Sequence, residues 1–568
     1  MSKNKPGTSE LRGVLFYALL FVASTMFFSS TSCQSNSRVW HTQTNIYQIF
    51  VEKFSASRDL EGVRNGLDYI QKLGVKTIWM MPIFEAMDDH GYNVTNYYKI
   101  AARYGTNQKL KDLTTEAHNK NIRILLDLVI NHTGTMHPWF ASADPQVRKD
   151  GWYIWADRDQ KWNDPWNSST DTGEAQANKT WFKDPFPDYD RDGDGNIHND
   201  DYYYSVFGDG TAELKDTSTG KIVGYGSTMP DLNFNDPVAR NEIVAEVKKI
   251  MDYWIKNTGV DGFRCDAVRY LTEVGPGNQA DQPETHAIWK ELRKWLDTNH
   301  PGVILLAEAP TEEYSQMLKY YGDGNEFQNA FHFKFQGLLM TPAKAGYRPN
   351  GFMNELYEIQ GHLPKNTQDV LFLSNHDQFA GDRVASQLND DSSKIKLAAS
   401  LYLLLSGNPA IYYGEEIGMT GANNDADLRQ PLNWDVINSQ LLDENSILNH
   451  YRRLLKLRNT YAALRGGITY FTHAHYSSDN WWDNNSADEQ IHASLDSTGL
   501  FIPDETPAYS LMGNSPVETV SSTNRNWYNI GTVYPKCSRV VFFGDISKYQ
   551  NRQKHYITYE NALSEISE

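Results

Sequence analysis

The chain has 568 residues, with 53 Lys and Arg against 71 Asp and Glu and a formal net charge of −18. That balance gives a polyphosphate no electrostatic reason to bind, so nucleic acid is excluded as a default partner. Aromatic residues are 13% and charged residues 22% of the chain, which rules out a multispan membrane protein and supplies the flat apolar surface that sugar rings pack against.

Residues 1–38 read as an export segment. Lys3, Lys5 and Arg12 precede the apolar run Val14 to Phe28, too short for a spanning helix and suited to a signal-peptide core. Ser29-Ser30-Thr31-Ser32 then meets Cys33. This resembles the lipobox of bacterial lipoproteins, with Ser30 where Leu is usual. The expectation is a protein anchored to a bacterial outer membrane or cell surface through acylated Cys33, and otherwise periplasmic or secreted. Cys265 and Cys537 are far apart in the chain and read as free thiols.

From Asn45 onward, short apolar runs alternate with amphipathic stretches, the rhythm of a parallel α/β fold. Strand candidates are Ile46 to Val51, Thr77 to Met81, Ile122 to Val129, Gly262 to Cys265, Val303 to Ala307, Ala330 to Phe333, Val370 to Leu373 and Ala410 to Tyr413. Removing the irregular Thr133 to Met229 from this span leaves about 270 residues, close to the ~250 of a (β/α)8 TIM barrel. The expected organisation is barrel at 39–132 and 230–465, a domain inserted after strand three at 133–229, and a small β-rich region at 466–568. In such a barrel, functional residues gather at the C-terminal ends of the strands.

Four strand ends meet that expectation: Asp127-Leu128-Val129-Ile130-Asn131-His132, Arg264-Cys265-Asp266, Glu308, and Asn375-His376-Asp377. One such carboxylate alone is more often an ion-pair partner, but several at one mouth carry a desolvation cost that packing does not explain. These segments resemble the four signature regions of the α-amylase family of retaining glycoside hydrolases. The secondary segments Met229 to Asn233, Gly407 to Glu416, His90 to Tyr97 and Arg429 to Trp434 resemble its other motifs. The likeness spans residues 45 to about 465.

The resemblance implies that Asp266 is the nucleophile, Glu308 the general acid/base and Asp377 the carboxylate that stabilises the transition state. Local chemistry adds that Arg264, two residues from Asp266 on one strand, should keep Asp266 ionised, whereas the apolar run before Glu308 should raise its pKa. The same resemblance makes His132 and His376 hydrogen-bonding partners of the cleaved sugar, Tyr92 a stacking platform and Arg269 a contact of the next sugar, and it counts Arg264 among the substrate-binding residues. It reads Arg429 as a structural ion-pair partner. It also implies a Ca2+ site formed by Asn131, Asp231 and the carbonyl of Tyr270. Independently, Asp190, Asp192, Asp194, Asn196 and Asp201 have the spacing of an EF-hand-type loop, with Gly195 at the sixth position.

The implied activity is an endo-acting α-amylase that cleaves α-1,4 bonds in starch or maltooligosaccharides, working beside other proteins of a glycan-uptake system. Met229 to Asn233 resembles a group between oligo-1,6-glucosidases and neopullulanases, so α-glucosidase, neopullulanase and glucanotransferase activities stand as alternatives. More distant alternatives are a non-catalytic barrel like the transporter heavy chains and a starch-binding protein. Asn93 and Asn96 stand where many relatives have Asp, and Phe54 to Gly62 lacks an acidic calcium loop that some carry. Mass spectrometry of the mature protein checks the anchor: acylated Cys33 is expected at the N-terminus, and an unmodified residue elsewhere would reject it.

Overall fold

The computed structural model describes residues 40–156, 181–186, 188–189, 191, 202–207, 212–215, 222–226, 228–273, 278–311, 313–345, 362–460, 463–466, 468–471, 491–495, 508–510, 522–524, 527–528 and 539–543. The export segment with Cys33, the proposed EF-hand-type ligands Asp190, Asp192, Asp194, Asn196 and Asp201, and Cys537 lie outside the described residues.

Eight parallel strands close into a barrel: β1 (Ile46–Ile49), β2 (Thr77–Met80), β3 (Arg123–Leu128), β4 (Gly262–Cys265), β5 (Ile304–Ala307), β6 (Asn329–Phe331), β7 (Gln368–Leu371) and β8 (Asn408–Tyr412). Each pairs with its successor, and β8 returns to β1 through Ile46 opposite Ala410. The apolar runs found in the sequence are these strands, since near-continuous Ile, Leu and Val suit strands buried on both faces. Register decides the chemistry at the mouth. Arg264 on β4 stands opposite Asp127 on β3 and Leu306 on β5. Gly262 opens β4 where a Cβ would sit 2.6 Å from the Ile304 carbonyl oxygen, so the strand tolerates no side chain there.

The crossover helices pack outside the barrel. Asn107–Asn119 precedes β3, with Thr106 Oγ1 accepting from Lys109 N at its start. The 22-residue helix Pro237–Thr258 precedes β4; Asp236 caps it, proline occupies its first turn, and left-handed Gly259 ends it at φ 76°. Pro283–Asn299 joins β4 to β5, and Ile447–Thr460 packs beyond β8.

Between β3 and the helix at Pro237, Trp155–Ala156, Tyr202–Tyr204 and Trp181–Lys183 form a three-stranded sheet, and Ala212–Lys215 pairs with Ile222–Gly226. Isolated bridges between His132 and Asp231 and between Tyr153 and Leu232 tie this excursion to the end of β3. Near the C-terminus, Ile468–Phe471, Ile491–Leu495, Arg539–Phe543 and Ala508–Ser510 make one four-stranded sheet.

Candidate active site

The barrel brings Asp127, Asp266, Glu308 and Asp377 to one mouth around two arginines. Arg264 is 1% exposed. Its Nη1 donates to Asp127 Oδ1 and Asp266 Oδ1, both at 2.7 Å, and its Nη2 lies 2.7 Å from Glu308 Oε1. Asp266 and Glu308 thus hang from adjacent nitrogens of one planar group. Sharing one guanidinium suits the roughly 5 to 5.5 Å between carboxyls of a retaining pair better than the roughly 6.5 to 9.5 Å of an inverting one. Trp79 Nε1 fixes the other Asp127 oxygen at 3.1 Å.

Asp377 occupies a second arginine site. Arg429 Nη2 lies 3.1 Å from its Oδ1 and 2.9 Å from Asp425 Oδ2. His376 Nε2 lies 3.1 Å from Asp377 Oδ2 and 2.6 Å from Tyr92 Oη. On the other side of the ring, Gln48 Nε2 donates to Nδ1 at 2.7 Å, which leaves the proton of a neutral imidazole on Nε2, facing Asp377 and Tyr92. Burial, with Arg429 and Arg264 nearby, holds His376 well below the usual histidine range. The Tyr92 ring lies nearly parallel to His376, at 12° and 5.7 Å between centres.

Backbone strain is also built into the site. Ala267, next to Asp266, has φ 48°, a left-handed conformation costly for a residue with a Cβ, and its N–H donates to Glu308 Oε2 at 3.1 Å.

Two expectations about these groups are overturned. Burial raises Asp266 above the ordinary carboxylate range despite the pull of Arg264, and burial raises Glu308 as well. The predicted opposition of the two pKa values fails because both acids are desolvated in one pocket and draw on the same guanidinium. Burial likewise pushes Asp127 up to about 7, and burial with repulsion from Glu308 pushes Asp377 up to about 8. Arg264 itself is enclosed by carboxylates rather than open to a sugar.

Arg269 differs too. It grips Asp281 through Nε at 3.0 Å and Nη2 at 2.8 Å and donates to the Pro310 carbonyl, an arrangement that ties two loops instead of opening toward a neighbouring sugar. Arg429 is the ion-pair partner expected, with Asp377 as its acid. His132 is buried, with Nε2 3.2 Å from the Tyr92 carbonyl, and burial lowers its pKa to about 3. Asn93 proves structural. Its Oδ1 accepts from Met87 and Asp88 N–H groups while its Nδ2 donates to Asp88 at 2.6 Å, where a carboxylate would repel.

Beside the mouth, Asn131 and Asp231 are neighbours through the bridge at His132 and the Leu232 N–H bond to the Asn131 carbonyl at 2.9 Å. Asn131 Oδ1, Asp231 Oδ1 and Glu273 Oε2 are buried without a hydrogen-bond partner. Glu273, on the Tyr270 loop, feels the Asp231 charge. Orphaned oxygens of this kind are the donor set a hard cation takes. Sequence reasoning missed Glu273, Gln48 and the anchoring role of Asp127. Only the acidic residue three positions after Tyr270 could have signalled the first.

The alpha amylase catalytic-domain family model matches residues 35–467. The chain is 33% identical over 461 residues to Alpha-amylase 3 of Dictyoglomus thermophilum, covering 75% of this chain and 79% of that protein. It is 30% identical over 451 residues to the trehalose synthase/amylase TreS of Mycobacterium tuberculosis, covering 72% and 68%. Among solved structures, the alpha-amylase from H. orenii superposes with a TM-score of 0.64 at 28% identity, covering 85% of this chain and 96% of that one. The chain therefore belongs to the alpha-amylase family of retaining glycoside hydrolases and transglycosylases, enzymes that act on O-glycosyl bonds.

Because Asp377 is protonated in the fold and ionised in the unfolded chain between about pH 4 and about pH 8, unfolding releases a proton there and stability falls as pH rises through that window. Asp377→Asn lacks this penalty. Its melting temperature should gain on that of the wild type, on the order of a few degrees, as pH rises from about 4 to about 8. A pH-independent difference would contradict the burial-driven shift.

Proposed function

We propose that this enzyme is an endo-acting α-amylase that hydrolyses α-1,4-glucosidic bonds of starch and maltooligosaccharides by double displacement. The observation that carries the reading is the Asp266, Glu308 and Arg264 arrangement facing Asp377. In the reactive protonation state one proton of this buried set rests on Glu308, and Asp266 is the anion that Arg264 pairs. Glu308 protonates the departing glycosidic oxygen as Asp266 Oδ attacks the anomeric carbon, which yields a glucosyl ester. Glu308, now ionised, takes a proton from water as that water displaces Asp266. Asp377, held by Arg429 and by His376 Nε2, would act in its ionised form on the positive charge that develops on the ring. The α-1,4 preference draws on likeness to the relative named Alpha-amylase 3.

The test is a time course on starch, pullulan, cyclodextrin, isomaltose and maltose. A ladder of α-anomeric maltooligosaccharides from starch is expected, and Asp266→Ala should lower turnover on the order of 10^4-fold or more. Glucose from isomaltose alone, or trehalose from maltose, would move the assignment to the activities named for other relatives.

Calcium is part of the same proposal. Asn131, Asp231 and Glu273, with the Tyr270 carbonyl, would hold it, and when bound the ion cross-links the loops after β3 and β4 and neutralises two buried carboxylates. Adding calcium to chelator-stripped protein should raise the melting temperature, and Glu273→Gln should shrink that rise. An unchanged melting temperature on both counts would remove the site.

A further inference from the structure

Few large apolar side chains are exposed among the described residues, and Phe379 is 63% exposed at the edge of the active site. It sits on the one-turn 3-10 helix Gln378–Ala380, whose first carbonyl-side residue is Asp377. Two residue steps keep the two α-carbons within ~7 Å. The turn is anchored: Gln378 N donates to Asp425 Oδ1 at 2.7 Å, and Asp425 also pairs with Arg429, the arginine that holds Asp377. Phe379 therefore stands on a turn tied to the arginine that holds Asp377.

One face of the Phe379 ring is covered. Phe333 stacks on it at 5.7 Å and 18°. Behind Phe333 stands a continuous aromatic column: Phe372 at 5.1 Å, then Phe331 at 5.7 Å, then Trp79 at 5.3 Å, and Trp79 donates to Asp127. The column rises from the buried carboxylate cluster to the rim and ends in a ring whose opposite face meets water. Exposing that face is unfavourable by the area left wet, and a pyranose offers a matching apolar face of C–H groups.

We propose that Phe379 is a stacking platform for a glucosyl unit adjacent to the one being cleaved, so that it selects extended α-glucans over short glycosides. This rests on the α-glucan reading above. Phe379 is not a catalytic residue; it positions a remote part of the substrate, whose binding contributes to the reacting geometry.

The experiment compares wild type, Phe379→Ala and Phe379→Trp on maltoheptaose and on p-nitrophenyl α-glucoside, with melting temperatures measured alongside. The ratio of kcat/KM for maltoheptaose to that for the short glycoside should fall about tenfold in Phe379→Ala and recover in Phe379→Trp. Equal losses on both substrates, or no loss on either, would overturn the platform. A second measurement separates this from failure of the functional reading: maltoheptaose binding by Glu308→Gln with and without Phe379→Ala. If the wild type turns over no α-glucan while the double variant still binds about tenfold more weakly, the function is wrong and the platform stands. Equal binding by the two variants would reject the platform whatever the activity.

Discussion

The structure turns on a guanidinium that water does not reach. Arg264 comes up on β4 directly opposite Asp127 on β3, and its nitrogens meet Asp127, Asp266 and Glu308. A buried cation surrounded by acids is stable only as a set. Removing one partner from such a set leaves an uncompensated charge at a cost of about 3 to 5 kcal/mol. The same constraint explains the chemistry. One positive charge cannot satisfy three carboxylates, so at least one proton stays among them, which is what an acid and a nucleophile in one pocket require.

Around that centre, rigidity comes from elements remote in the chain. Gln48 at the end of β1 sets the tautomer of His376 after β7, and Tyr92 closes the other side of that ring. Arg429, beyond β8, carries Asp377 and Asp425 together. Trp79 joins the carboxylate cluster to the aromatic column that ends at Phe379. The strained turn at Ala267 aims its N–H at Glu308, so the backbone itself fixes the acid. Each contact orients a side chain before any sugar arrives, and preorganisation of this kind lowers the reorganisation a transition state demands.

The region after β3 is held to the barrel by short-range geometry. The His132 to Asp231 bridge and the Asn131 carbonyl bring two oxygen-bearing side chains together, and Glu273 meets them from the β4 loop. Apolar packing adds to these links, since Phe140, Trp152, Tyr153 and Tyr203 belong to the same buried core as the barrel. Arg269 supplies another cross-link through Asp281 and the Pro310 carbonyl.

Much was legible in the chain alone. Short apolar runs located all eight barrel strands, and four of them led into the acids and histidines at the mouth, because strand burial is written in local composition. What the chain did not reveal was who faces whom. Arg264 and Asp266 share a strand, which suggested an anion held ionised. Only the closed barrel shows that Glu308 and Asp127 claim the same arginine, and that burial reverses the direction for Asp266. Arg269 looked free for substrate until Asp281, twelve residues on, was seen to occupy it. Gln48 and Phe379 carried no local signature, and Glu273 only its place three residues after Tyr270. Periodicity and composition record how each segment prefers to fold and which face it buries; desolvation, ion-pair partners and exposed rings depend on segments hundreds of residues apart, and those meet only in the folded barrel.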